Sequence, residues 1–203
     1  MRARIAFAAL ALVSFAACGD DGDDGGDNNV IDGPVDSGGD FDSPPAATCA
    51  DYCTTITANC TAANLMYGTA AECMATCALF DPSATMTGNT LGCRAYHAGN
   101  AAGGVQNANT HCRHAGPGGD GVCGANCAGF CTIVQGACAG QNPPPYADMA
   151  ACMTACSNYA PTPAYVAMAT GNNLACRLYH ATAATANPGL HCSHTAMVSA
   201  TCQ

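Results

Sequence analysis

CADYCTTITANC at residues 49–60 and CAGFCTIVQGAC at residues 127–138 decide how this chain folds. In each stretch Cys stands at positions i, i+4 and i+11, with an aliphatic residue, Ile56 or Val134, at i+7. That spacing places all four on one face of an α-helix. A second C-x3-C pair follows each stretch, Cys73 with Cys77 and Cys152 with Cys156. Thr69-Ala70-Ala71-Glu72, just ahead of Cys73, has the pattern of a capping box that opens a helix. Two C-x3-C helices packed antiparallel join first to last and inner to inner. The spacing therefore predicts Cys49–Cys77 with Cys53–Cys73, and Cys127–Cys156 with Cys131–Cys152. This arrangement is similar to the twin C-x3-C helical hairpins of several small oxidised proteins, and the likeness extends to spacing alone.

The remaining cysteines extend the pattern. One set of eight is Cys49, Cys53, Cys60, Cys73, Cys77, Cys93, Cys112 and Cys123. The other is Cys127, Cys131, Cys138, Cys152, Cys156, Cys176, Cys192 and Cys202. The gaps run 3, 6, 12, 3, 15, 18 and 10 residues in the first, and 3, 6, 13, 3, 19, 15 and 9 in the second. Other residues follow suit. TGNTLGCRAYHA (87–98) lies over TGNNLACRLYHA (170–181) with nine of twelve positions identical, and His111-Cys112-Arg113-His114 lies over His191-Cys192-Ser193-His194. Such self-similarity marks a tandem duplication. The two modules, 48–124 and 125–203, hold about 75 residues each, which is small for a self-sufficient core. Four disulfides per module, at roughly 2–4 kcal/mol each, offset the deficit.

Few runs alternate with period 2, so the expected class is all-α: two tandem disulfide-rich helical modules. A third helix is expected to start near Asn89 and Asn172 and to carry the CR-x-YH segment. A short fourth would carry His-Cys-x-His, with Pro188 suited to its first turn. Pro143-Pro144-Pro145 separates the first two helices of the second copy.

The N-terminal part is a different material. Arg2 and Arg4 precede an apolar run, Ile5 to Phe15, which is too short to span a bilayer and reads as a secretory signal, residues 1–17. Phe15-Ala16-Ala17-Cys18 resembles the lipobox of bacterial lipoproteins, which implies that Cys18 becomes the acylated first residue of the mature chain. Setting Cys18 aside leaves an even 16 of the 17 Cys. Residues 18–47 form an acidic, Gly-rich tether holding 9 of the 14 acidic residues. It lacks the apolar surface to fold, and no register in it supplies the ligands of an EF-hand loop.

Composition narrows the function. Charged residues make up 9% of the chain, there is no Lys or Trp, and the net charge is −9. A nucleic-acid surface built from Lys and Arg is excluded. So much Cys fits an oxidising compartment. The expected setting is the bacterial cell envelope, lipid-anchored at the periplasmic face or the cell surface. The expected role is non-enzymatic: binding of an unidentified protein or glycan, or structural support. There is no C-x-x-C-H, no C-x-x-C redox pair and no G-x-S-x-G. The five acidic residues of the folded part do not recur between modules, so no duplicated acid/base pair exists.

One constellation carries chemistry. All six His sit at matched positions: His97, His111, His114 and His180, His191, His194. If the third and fourth helices pack together, each set of three imidazoles can hold Zn²⁺ or Cu²⁺ and leave a coordination position open. No catalytic residue and no resident cofactor are expected otherwise. Arg94 and Arg177 also recur, each followed two residues later by Tyr96 or Tyr179. Met74 and Met153 recur too, and their place beside a helical Cys reads as core filling.

Overall fold

The computed structural model describes residues 46–203. The expected signal segment, Cys18 and nearly all of the tether lie outside the described residues. Those described form eight α-helices and a short 3-10 turn, with no strand beyond two isolated bridges. None of the helices is long and apolar enough to cross a membrane. Module 1 holds α1 (Cys49–Asn59), α2 (Ala70–Cys77), α3 (Leu91–Asn100) and α4 (Val105–Ala115). Module 2 repeats them as α5 (Asn126–Ala137), α6 (Met149–Cys156), α7 (Leu174–Ala186) and α8 (Pro188–Thr195).

The starts of these helices are legible in the chain. Thr48, Thr69 and Thr90 cap α1, α2 and α3; Asp148, Asn173 and Asn187 cap α6, α7 and α8. At α2 the Glu72 N–H donates to Thr69 Oγ1 at 3.1 Å, while the Glu72 carboxylate accepts from the Gly68 N–H at 3.0 Å. The capping box is thus shifted by one residue at its return bond. Helices α3 and α7 begin two residues after Asn89 and Asn172. Pro188 takes the first position of α8, where its missing N–H is not needed.

All sixteen module cysteines are paired. The four anticipated bridges are present: Cys49–Cys77, Cys53–Cys73, Cys127–Cys156 and Cys131–Cys152. The others are Cys60–Cys112 and Cys93–Cys123, repeated as Cys138–Cys192 and Cys176–Cys202. Cys60–Cys112 ties α4 back to the end of α1, and Cys93–Cys123 ties α3 to the segment beyond α4. Aliphatic and aromatic side chains fill the space between: Tyr52, Ile56, Phe80 and Leu91 in module 1, and Phe130, Ile133, Val134 and Leu178 in module 2.

Met74 and Met153 do not fill the core. They are 42% and 36% exposed. The 100° rotation between each Met and its buried neighbour Cys turns the thioether away from the core face of the helix.

Candidate metal centre

The helix pair that bears the histidines is held by a buried arginine. Arg94 has no exposed surface, yet no carboxylate among the described residues pairs with it. Its guanidinium donates to the carbonyls of Gly116 (3.2 Å), Pro117 (3.2 Å) and Thr90 (3.3 Å) and to Asn89 Oδ1 (2.7 Å). It also lies over the Phe80 ring, 3.9 Å from the centroid. Arg177 repeats this against Ala196, Met197, Cys202 and Asn173 carbonyls and Asn172 Oδ1, over the Tyr159 ring. Each arginine therefore clamps the start of one helix to the chain just past the end of the next. The duplicated T-G-N-x-L-x-C-R segment supplies the arginine and the helix-start half of this clamp. Its glycines, Gly88 and Gly171, take φ of +73° and +94°, a region that penalises any side chain.

A tyrosine supports the same end of α4 and of α8. The Tyr52 hydroxyl donates to the Ala115 carbonyl (2.7 Å) and meets the Tyr67 hydroxyl (2.8 Å). In module 2 Phe130 replaces Tyr52, and the Tyr146 hydroxyl takes over, bonded to Thr195 O and to Tyr159. The residues so held directly follow His114 and His194.

With both helices clamped, the six histidines meet in two triads. His97 projects from α3 toward His111 and His114 on α4, one helical turn apart. His180 on α7 faces His191 and His194 on α8. Five of the six rings meet through Nδ1. His97 Nδ1 lies 2.9 Å from His111 Nδ1; His180 Nδ1 lies 3.0 Å from His191 Nδ1 and 3.3 Å from His194 Nδ1. Ring arrangements match as well: centroids of 5.2 Å stacked and 4.9 Å edge-on in module 1, 5.3 Å stacked and 4.6 Å edge-on in module 2. His114 Nδ1 is buried and has no hydrogen-bond partner.

This geometry suits a cation. A neutral imidazole nitrogen carries either a proton or a lone pair. Three imidazoles brought together cannot all be satisfied by one another, and in module 1 His114 Nδ1 is left without a partner. Three lone pairs about 2.0–2.1 Å from a tetrahedral ion stand roughly 3.3 Å apart, close to the spacings seen. Within each triad one donor atom from each His lies inside a 4.8 Å span. The bridges Cys93–Cys123 and Cys176–Cys202 come within the same span of His97 and His180, but oxidised sulfur offers no thiolate.

The electrostatics favour neutral rings. Burial pushes His97 below the usual imidazole range, with His114 and His111 adding to it. His180 is pushed down to about 4, by burial first and then by His194 and His191. His191 is lowered by burial and by His194, against an upward pull from Glu72. His114 is lowered by burial, against an upward pull from Asp120. Neutral imidazole is the metal-binding form.

Asp120 and Glu72 escaped the sequence reading because they occupy no matched positions. Asp120 reaches the field of His114 from the loop after α4 and also pairs with Arg113 at 3.6 Å. Glu72 reaches His191 from α2 of the other module. Each triad thus has one carboxylate in its field, supplied from a different place in the chain.

A family model described as the BfoA family C-terminal domain matches residues 45–129 and, again, residues 125–200. The chain belongs to the BfoA family and carries its C-terminal domain twice. The two matched spans overlap at the start of α5, and each contains one complete four-helix unit and one histidine triad; the first holds all four disulfides of its module, and the second all but the Cys202 end of Cys176–Cys202. No curated protein and no solved structure matches the chain.

Proposed function

We propose that this protein is an exported, lipid-anchored envelope protein whose two helical modules each bind one transition-metal ion, Zn²⁺ or Cu²⁺, through the imidazoles of a histidine triad. The observation that carries the reading is the convergence of three imidazoles in both modules, through all three Nδ1 atoms in module 2 and those of His97 and His111 in module 1, with His114 Nδ1 buried and unpartnered. The absence of anionic donors from the triads favours borderline metals that accept imidazole over Ca²⁺ or Mg²⁺, which need oxygen. The disulfide framework, formed in an oxidising compartment, supports the site by tying α4 and α8 back to the ends of α1 and α5, and α3 and α7 to the segments beyond α4 and α8. The role is binding rather than catalysis.

Native mass spectrometry of the exported, oxidised chain tests the metal claim. Two ions per chain are expected, both lost to a chelator. His97→Ala and His180→Ala should each remove one, and the pair should remove both. Unchanged metal content in the double variant would refute the proposal. The anchor is tested separately: a Cys18→Ser chain should move from the membrane to the soluble fraction.

A further inference from the structure

We infer that this chain associates head to tail with a second copy of itself, the α6 end of module 2 seating on the α1/α3 face of module 1 in the next copy. The template is the contact between the two modules within one chain. There α2 packs on α7. The Ala167 N–H donates to the Leu65 carbonyl at 2.7 Å, and the Tyr165 hydroxyl donates to the Met66 carbonyl at 2.9 Å. The backbone approaches closely: a Cβ on Gly136 of α5 would lie 2.6 Å from Leu79 Cδ2, and one on Gly118 would lie 3.0 Å from Leu178 Cδ2.

A two-fold relation between the modules would require α6 to pack on α3 in the same way. It does not. The contact is therefore heterologous, joining two different faces of one repeated unit. Contacts of that kind leave one unmatched face at each end and continue into rings or filaments when copies meet.

Both leftover faces are visible. On module 2 the residues matching the buried Pro117 and Gly118 are Met197 and Val198, which are 58% and 91% exposed. A groove of about 410 Å³ beside them is lined by Pro143, Pro144, Pro145 and Val198. On module 1 the counterparts of Thr132, Ile133, Gly136, Leu178 and Tyr179 are Thr54, Thr55, Ala58, Ala95 and Tyr96. All five are uncharged, four are small, and Tyr96 is 50% exposed. Asp51 stands where α5 has Gly129, and its carboxylate is turned back onto Thr48 Oγ1 at 2.6 Å. Module 1 lacks the longer segment that carries Tyr165, so the contact between copies is the weaker of the two.

Sedimentation velocity tests this on the exported, oxidised chain carrying Cys18→Ser, so that no acyl chain drives association, and with chelator present, so that no metal bridges copies. Concentration-dependent growth past the dimer is expected. Val198→Glu, at the position matching Gly118, blocks one face and Tyr96→Glu the other. Each alone should raise the concentration needed for association at least tenfold. Mixing the two variants should restore a one-to-one dimer that grows no further, because each retains the face the other lost. Disulfide count by mass and far-UV circular dichroism confirm that both variants are folded. A chain that stays monomeric at all concentrations overturns the proposal. So does a dimer that stops at two and is not restored by mixing.

Discussion

Arg94 and Arg177 show how one residue can set a site it does not touch. Neither meets an imidazole, but each gathers carbonyls from beyond the following helix and so fixes where His114 or His194 stands. Removing the guanidinium leaves several buried carbonyls unpaired, at about 1–3 kcal/mol for each one that stays dry. We expect Arg94→Ala to lower unfolding stability by roughly 3 kcal/mol, read as a drop in denaturant midpoint, and to weaken metal binding in module 1 while module 2 keeps its ion. The histidines set the pH response. His180 takes up a proton near pH 4 when folded and near 6.5 when unfolded. Between these values the unfolded chain holds more protons, so stability falls as pH drops through that window and levels off below it. Denaturation midpoints of the metal-free chain at pH 7.5, 6, 5 and 4 should decline in that order, and His180→Gln should flatten the slope. Retention of the full slope in that variant would assign it elsewhere.

Among the elements, the helices are short, between 8 and 13 residues, and such helices are marginal alone. Caps and crosslinks decide their stability. Cys60–Cys112 closes a span of 52 residues and Cys53–Cys73 one of 20. Chain entropy gives about 4 and 3 kcal/mol respectively. Replacing both members of the longer bridge with Ser should therefore destabilise the chain more than replacing both members of the shorter, by thermal unfolding at equal pH. Only the longer replacement should also loosen the module 1 metal site, since it alone releases α4. Asn187 serves two elements at once, as C-cap of α7 and side-chain cap of α8. Asn187→Ala should cost about 1 kcal/mol and show as earlier hydrogen exchange at the first amides of α8.

For the whole molecule, stability and metal occupancy are linked. A metal that binds only the folded chain stabilises it by about 2.7 kcal/mol per site at a hundred times its dissociation constant. Thermal unfolding of the oxidised protein should rise with added Zn²⁺ and return with chelator, and the rise should be halved in either single-triad variant. Full reduction should abolish both the fold and the metal response. Modules of about 75 residues with this little core depend on their crosslinks.

The Cys spacing determined the all-α class, the duplication and four of the eight bridges, because C-x3-C on a helix leaves one face and few ways to pair two such faces, and capping residues such as Thr69 and Pro188 marked helix starts. It also singled out the six histidines, since a chain poor in ionisable groups repeats them all. Tertiary structure decided the rest. The bridges Cys60–Cys112 and Cys93–Cys123 join helices whose packing no local period specifies. The role of Arg94 depends on carbonyls some 22 residues away, and the carboxylates near the triads come from unmatched loops and from the other module. The exposure of Met74 and Met153 depends on which side of each helix the two disulfides claim. The heterologous contact, finally, follows from how two copies of one unit stack, and nothing in either copy alone records it.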